Sequence, residues 1–209
     1  MIHRTLSLFA AAFVFVALGA PAQCQDHGMA HDGDHAMHDD PMHEGMHYTV
    51  HGRGNDEART SPNALTAQTV GTTQVMVAYG RPSVRDREIF GGLVPYGEMW
   101  RTGANEATAF HTSGDLMVEG ERLPAGTYAL FTIPNEDSWT IVFNGQVQQW
   151  GSMNHDPAQD VLRVEVEPME AGYPVEMMSF WFEDVSDTSA EMVLAWDDVQ
   201  VPVMLMAAN

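Results

Sequence analysis

The sequence has no lysine, and its nine arginines face 29 aspartate and glutamate residues in a chain of 209 residues. The resulting formal net charge of −20 excludes two large classes of partner, because nucleic acids and anionic membranes are bound through basic surfaces. Such a composition fits adaptation to high salt, where counterions screen the repulsion between carboxylates. A cation-binding surface and the composition of a GC-rich genome are the alternative explanations.

No apolar run reaches the length of about 20 residues that a membrane-spanning helix needs. A shorter apolar run, residues 6–18, follows His3 and Arg4 at the N-terminus. Ala20 and Ala22 then form the A-x-A pattern of a signal-peptide cleavage site. We therefore expect a signal peptide in residues 1–22, cleavage after Ala22, and a periplasmic or secreted protein.

The chain has a single cysteine, Cys24, so no disulfide can form within it. An exported domain without disulfides has to be held together by its hydrophobic core. Cys24 also allows a lipoprotein, with lipid attached to an N-terminal cysteine. Residues 21–23, Pro-Ala-Gln, fit a lipoprotein signal poorly, because a small residue is expected directly before the cysteine.

Residues 23–60 have almost no aliphatic side chains, and such a segment cannot bury enough apolar surface to offset the entropy of ordering. We predict a disordered tail, in which seven histidines and four methionines stand out. Imidazole and thioether ligands suit copper and zinc, so the tail is a candidate metal-binding segment. The alternative is a solvated tether that holds no metal. The candidate ligands are His27, His31, His35, His38, His43, His47, His51, Met29, Met37, Met42 and Met46.

Residues 61–209 have the pattern of one all-β domain. Short runs of alternating or apolar residues are separated by turn signals, and no segment has a convincing helical period. Strands are predicted at 74–79, 107–113, 116–118, 128–133, 139–143, 161–166, 175–182, 192–196 and 199–205. We therefore predict an antiparallel β-sandwich or jelly roll of about eight or nine strands.

Two expectations about packing follow from the same pattern. Residues 175–182 are apolar on both faces, which predicts a central strand covered on both sides. Large aromatic side chains at strand positions are expected in the core, and these are Phe131, Trp139, Phe143, Phe180, Trp181 and Trp196.

One stretch, residues 79–108, departs from the strand-and-turn pattern. It contains four of the six arginines of the domain, together with five glycines and the aromatic residues Phe90, Tyr96 and Trp100. This composition predicts a long, ordered and irregular loop.

The run GRPSVRDREIFGGLVPYGEMWRTGANEAT is followed by LPAGTYALFTIP, SWTIVFN, Trp150-Gly151 and DVLRVEV. Together these motifs resemble the domain-of-unknown-function family 2911, a group of exported bacterial proteins. The resemblance covers residues 61–205 or so and implies no catalytic residue, because none is established in that family. The histidine- and methionine-rich tail lies outside the resemblance.

Two hypotheses account for the arginines of this stretch. In the first they line a pocket for an anionic or polyhydroxylated small molecule, because guanidinium forks match carboxylate and phosphate oxygens and an aromatic ring stacks on a flat ligand. In the second they clamp the loop through backbone carbonyls and carboxylates, with Arg101 paired to Glu106 or Asp160. We favour the clamp, because no nucleophile stands nearby. The candidate ligand-binding residues are Arg81, Arg85, Arg87, Trp100, Arg101, Asn105 and Glu106.

No nucleotide-binding or hydrolase motif occurs in the sequence, and we predict no catalytic residue. His111 and His155 are expected to be hydrogen-bonded structural residues, although His155 with Asp156 and Asp160 could help to hold a metal. We interpret the protein as a non-enzymatic binding or cell-envelope module. The alternatives are a protein that handles copper or zinc through its tail and a carbohydrate-acting enzyme that uses Glu106.

Overall fold

The computed structural model describes residues 57–208. The predicted signal peptide, Cys24 and the predicted metal ligands of the tail lie outside the described residues. Within residues 57–208 no helix is long and apolar enough to cross a membrane. The described chain contains ten strands and one 3-10 turn, Pro157–Gln159. The strands are β1 Asn63–Val70, β2 Thr73–Gly80, β3 Thr108–Thr112, β4 Leu116–Val118, β5 Glu121–Leu123, β6 Gly126–Ile133, β7 Trp139–Asn144, β8 Asp160–Val166, β9 Met169–Glu183 and β10 Ser189–Ala207.

The strands form two antiparallel sheets, which confirms the predicted sandwich. The larger sheet has the order β1-β2-β3-β6-β7-β8, and the smaller has the order β5-β4-β10-β9. Inward-facing side chains of both sheets form one hydrophobic core, to which Phe110, Phe143, Phe180, Trp139 and Trp196 belong. The chain passes between the sheets after β3, β5 and β8, so both are built from non-adjacent parts of the sequence.

Most of the predicted strands are confirmed, and the differences have local causes. β1 was not predicted because Leu65 and Val70 are its only aliphatic side chains larger than alanine. β5 was not predicted because it lies between the turn residues Gly120 and Pro124 and buries only Leu123. The two segments predicted at 192–196 and 199–205 are a single strand, β10. Its pairing with β9 shifts register on both sides of Asp197, whose φ of 57° puts an irregularity where the sequence pattern breaks.

The prediction that residues 175–182 form a central strand is wrong. They belong to β9, which lies at the edge of the smaller sheet next to β10. Trp181 and Phe182 are only half-buried, and the Trp181 indole donates a hydrogen bond of 2.8 Å to Glu183. An apolar pattern records which side chains avoid water, but the position of a strand within a sheet depends on pairings distant in sequence. Trp181 is accordingly the one exception among the six aromatic residues expected in the core.

Candidate functional site

The segment between β2 and β3, residues 81–107, is the long irregular loop that the sequence predicts, and we call it the arginine loop. It is hydrogen-bonded to both sheets. Ser83 bridges to Met177 in β9, and Trp100 exchanges two backbone hydrogen bonds of 2.8 and 3.0 Å with Thr132 in β6. The loop therefore joins the two sheets and has a fixed position on each.

Aromatic side chains anchor the arginine loop in the core. Phe90 lies edge-to-face against Trp139 with ring centroids 5.0 Å apart, and Trp100 stacks on Trp196 at 5.8 Å. Such aromatic pairs stabilise a fold beyond the area that they bury. Trp100 is only 8% exposed, so most of the ring that we expected to stack on a ligand packs against Trp196.

The backbone around Arg101 is strained and tightly packed. The φ of Thr102 is 54°, which is a rare conformation for a β-branched residue. The Thr108 hydroxyl donates a 2.6 Å hydrogen bond to the Thr102 carbonyl, and the Thr102 hydroxyl lies 3.2 Å from that of Thr132. Such strain persists only where the surroundings enforce it. The buried Thr102 therefore fixes the position of the backbone at Arg101.

The loop borders a pocket of about 450 Å³ that is open to solvent on one side, and its volume lies in the range of small-molecule sites. Its walls come from the arginine loop, from Thr60 and Ser61 before β1, from Ser152 in the segment after β7 and from Trp196 in β10. Arg85, Arg87, Trp100, Arg101 and Asn105, five of the seven predicted ligand-binding residues, contribute to the lining.

Arg101 is the arginine of this pocket that lacks a partner. Within residues 57–208 its side chain makes no hydrogen bond or ion pair, and its Nε is buried without an acceptor. Burial lowers the pKa of the Arg101 guanidinium below its usual value, because the surroundings solvate the charge poorly. Arginine nevertheless stays protonated in proteins, so the pocket contains a positive charge that forms no direct ion pair with a carboxylate of residues 57–208. The predicted pairing of Arg101 with Glu106 or Asp160 is wrong, since those carboxylates bind other residues.

Two other arginines of the loop make the contacts of a structural clamp. Arg81 donates hydrogen bonds from Nε to the Met178 carbonyl, at 3.0 Å, and from Nη2 to the Ser179 hydroxyl, at 2.6 Å. Arg87 donates from Nε and Nη2 to the carbonyls of Val84 and Ser83, at 2.9 and 2.5 Å. Both arginines therefore hold the backbone.

The four residues before β1 are bonded in turn to residues that we had predicted as ligand-binding. Arg59 forms an ion pair with Glu106 through two hydrogen bonds of 2.7 and 3.0 Å. The carbonyl of Thr60 lies 3.5 Å from Arg85 Nη2, that of Ser61 accepts from Asn105 at 3.3 Å, and that of Pro62 accepts from the Arg81 amide at 2.8 Å. The chain that enters the domain thus forms part of the site.

A polar cluster supports the segment after β7 that carries Ser152. The Asp160 carboxylate accepts hydrogen bonds from Asn144 at 2.7 Å, from His155 at 2.8 Å and from Arg163 at 2.5 Å. Burial alone would raise the pKa of Asp160, but the hydrogen bonds from Asn144, Arg163 and His155 together hold it below its usual value. His155 is therefore a structural residue with its ring edge-to-face against Phe131.

His111 and His155 make hydrogen bonds to neighbouring side chains of the domain. The part of the chain that the structure describes contains no cluster of three or more His, Cys, Asp or Glu side chains suited to a metal ion. His111 is buried and accepts or donates one hydrogen bond, 2.8 Å long, between Nδ1 and the Thr127 hydroxyl. Desolvation lowers the pKa of His111, so its neutral form is favoured.

Sequence reasoning missed several contributors to the site, three of which lie outside the arginine loop and are Trp196, Arg59 and Ser152. Trp196 was assigned to the core from its period, and it is buried there, but it also lines the pocket. Arg59 lay in the predicted tail, and Ser152 in a loop without a motif. No local signal identifies these residues, because each reaches the site through contacts distant in sequence.

Comparison with known proteins adds a family to this geometry. Residues 61–205 match the family model described as Protein of unknown function (DUF2911). No curated protein and no solved structure matches the chain. The match includes the whole arginine loop and leaves out Arg59 and the tail.

Proposed function

Because this chain belongs to the DUF2911 family, whose description assigns no activity, we propose its function from the geometry of the site. The protein is an exported, non-enzymatic β-sandwich module that binds a small anionic molecule in the pocket of the arginine loop. Export is supported by the signal-peptide pattern of residues 1–22.

The observation that carries this proposal is the unpartnered guanidinium of Arg101 in the pocket lining. Arg101 is half-buried, and a charge that is partly withdrawn from water without a counterion costs free energy. Carboxylates are abundant in this chain, yet none pairs with Arg101 among the described residues. A bound anion would supply the missing charge and acceptors.

The acidic surface repels anions, and it slows the association of an anion with the pocket. With a net charge of −20, the protein repels anions over long distances. Added salt screens this repulsion more than it weakens a short, partly buried contact. We therefore expect an anion to associate faster at moderate salt than at very low salt.

The enzyme alternative finds little support in the position of Glu106. Its carboxylate is 15% exposed, is bound by Arg59 through both oxygens, and does not belong to the pocket lining. A general acid or base has to reach its substrate from a pocket. The copper or zinc alternative rests on the tail, which lies outside the described residues.

A thermal-shift screen of small anions tests the proposal, because a ligand that binds the native state raises Tm. We expect a subset of anions to raise the Tm of the wild-type protein and to lose this effect in Arg101→Gln. Arg122→Gln is the matched control, since Arg122 is an exposed arginine paired with Asp115 away from the pocket. Equal shifts in all three proteins, or no shift with any anion, would contradict the proposal.

The metal alternative has a separate test. Copper and zinc content is measured for the mature protein and for a variant that lacks residues 23–56 but keeps Arg59 and Thr60, which contact the loop. Metal that is retained only by the protein with its tail would support metal handling. Anion binding by the variant would remain, because the pocket is complete without the deleted residues.

A further inference from the structure

The lining of the arginine-loop pocket includes donors that lack acceptors. The buried side-chain atoms Arg101 Nε and Trp196 Nε1 have no hydrogen-bond partner within residues 57–208, and both residues line the pocket. Trp196 is only 1% exposed, so water cannot serve its indole N–H freely. Buried polar groups are normally hydrogen-bonded. A ligand with acceptor oxygens complements the half-buried Arg101 guanidinium at the pocket, and an amine or a metal cation does not.

The number of free guanidinium groups limits the charge of the ligand. Arg87 uses Nε and Nη2 to bind the carbonyls of Val84 and Ser83, whereas the Arg101 side chain makes no hydrogen bond to the described residues. One planar guanidinium matches one planar carboxylate through two parallel hydrogen bonds. Arg85 also lines the pocket and, like Arg87, donates to a backbone carbonyl, while Glu98 offsets one positive charge of the lining, so Arg101 is the arginine whose fork is open to a carboxylate.

The remaining lining groups suit hydroxyls. Ser83, Ser152, Asn105 and Glu98 line the pocket and together offer hydroxyl, amide and carboxylate groups, which can both donate and accept. The pocket volume of about 450 Å³ leaves room for a body of several carbon atoms beside the carboxylate. A hydroxylated body would satisfy these groups, whereas an aliphatic body would leave them unpaired.

We propose that the pocket takes a hydroxycarboxylate of about the size of a sugar acid. Its carboxylate binds the Arg101 guanidinium, and its hydroxyls bind Ser83, Ser152, Asn105 and Glu98. This inference rests on the proposed anion-binding function, of which it specifies the ligand class.

Calorimetric titration of the mature, full-length protein with four probes tests the inference. D-gluconate has a carboxylate and hydroxyls, hexanoate has the carboxylate alone, sorbitol has the hydroxyls alone, and glucose 6-phosphate combines hydroxyls with a phosphate dianion. We expect gluconate to bind about tenfold more tightly than hexanoate, because several polar groups of the site find partners. Glucose 6-phosphate is expected to bind more weakly than gluconate, and sorbitol not at all.

Ser152→Ala provides a second, independent readout of hydroxyl recognition. We expect it to weaken gluconate binding about fivefold, the usual effect of one neutral hydrogen bond, and to leave hexanoate binding unchanged. Ser138→Ala is the matched control, because Ser138 lies in the turn between β6 and β7 and does not line the pocket. It should leave the affinity for both probes unchanged.

The outcomes separate the inference from the function on which it rests. Hexanoate binding as tightly as gluconate, tighter binding of glucose 6-phosphate, or an equal effect of Ser152→Ala on gluconate and hexanoate would overturn the hydroxycarboxylate assignment. In each of these cases an anion still binds, and the proposed function stands. If none of the three anions binds, the hydroxycarboxylate assignment fails, and the proposed function fails with it when the thermal-shift screen also finds no anion that raises Tm.

Discussion

Arg59 and Glu106 form a two-point ion pair, with Nη1 2.7 Å from Oε2 and Nη2 3.0 Å from Oε1. Arg59 precedes the residues matched by the family model, whereas Glu106 lies in the arginine loop. The pair therefore ties the chain that enters the domain to the loop that forms the pocket. Both side chains are mostly buried, with 24% and 15% of their surfaces exposed.

Removing this ion pair is expected to destabilise the domain. Arg59→Gln leaves Glu106 partly buried without its bidentate partner, and we expect the free energy of unfolding to fall by about 1–2 kcal/mol, between the values for exposed and buried pairs. A double-mutant cycle with Glu106→Gln, measured by urea unfolding, isolates the coupling. Additive effects of the two substitutions would show that the pair contributes nothing.

Arg81 and Arg87 differ in what they hold, and their substitution by lysine separates the two roles. Arg81 links the loop to Met178 and Ser179 in β9, whereas Arg87 binds carbonyls three and four residues away in its own loop. Lysine keeps the charge but loses the planar fork. We expect Arg81→Lys to cost about 1–2 kcal/mol and Arg87→Lys less than about 0.5 kcal/mol in urea unfolding. Similar losses in both variants would contradict this difference.

Gly80 marks the closest approach of the loop to the sheet. A Cβ at this position would lie 2.3 Å from the Ala104 carbonyl oxygen, so an alanine has to push the loop away from β2. We expect Gly80→Ala to cost about 2–4 kcal/mol of unfolding free energy. Gly172→Ala is the control, because nothing lies within 4 Å of a Cβ there. Equal stability of the two variants would mean that the loop is not packed against β2 as described.

His111 makes the stability of the domain depend on pH in a defined direction. Burial holds the pKa of His111 in the folded protein below the value of an unfolded histidine, about 6.5. As the pH falls, the imidazole is therefore protonated in the unfolded chain before it is protonated in the folded protein. The stabilising contribution is complete above about pH 6.5 and is lost as the pH falls through the folded pKa, by at most about 1.4 kcal/mol per pH unit. Urea unfolding at pH 7.5 and 5.5 measures this loss. His111→Gln should lose less stability than the wild type over this interval, and an equal loss would contradict the assignment.

The sequence predicted the architecture because it carries local information about strands. β8 shows the alternation of apolar and charged residues expected for a half-buried strand, with Val164 and Val166 buried and Arg163 and Glu165 exposed. β1 escaped prediction because alanine and polar residues separate its two larger aliphatic side chains, Leu65 and Val70. It is nevertheless paired with β2 along its whole length.

The site was predictable only as a region. Because positive charge is scarce in the sequence, the arginines of the loop were the candidate site, and five of the seven candidate residues line one pocket. Which arginine is free could not be read from the sequence, because the partner of each side chain is set by folding. Glu106 binds Arg59, 47 residues earlier in the chain, and Arg81 binds Met178 and Ser179, 97 and 98 residues later.

The most direct measurement is the affinity of wild type, Arg101→Lys and Arg101→Gln for the anion that raises Tm most, determined by calorimetric titration. We expect Arg101→Lys to weaken binding about tenfold through loss of the planar fork, and Arg101→Gln to weaken it about a hundredfold through loss of the charge as well. An unchanged affinity in Arg101→Gln, with the fold intact by circular dichroism, would contradict the assignment of this pocket as an anion site.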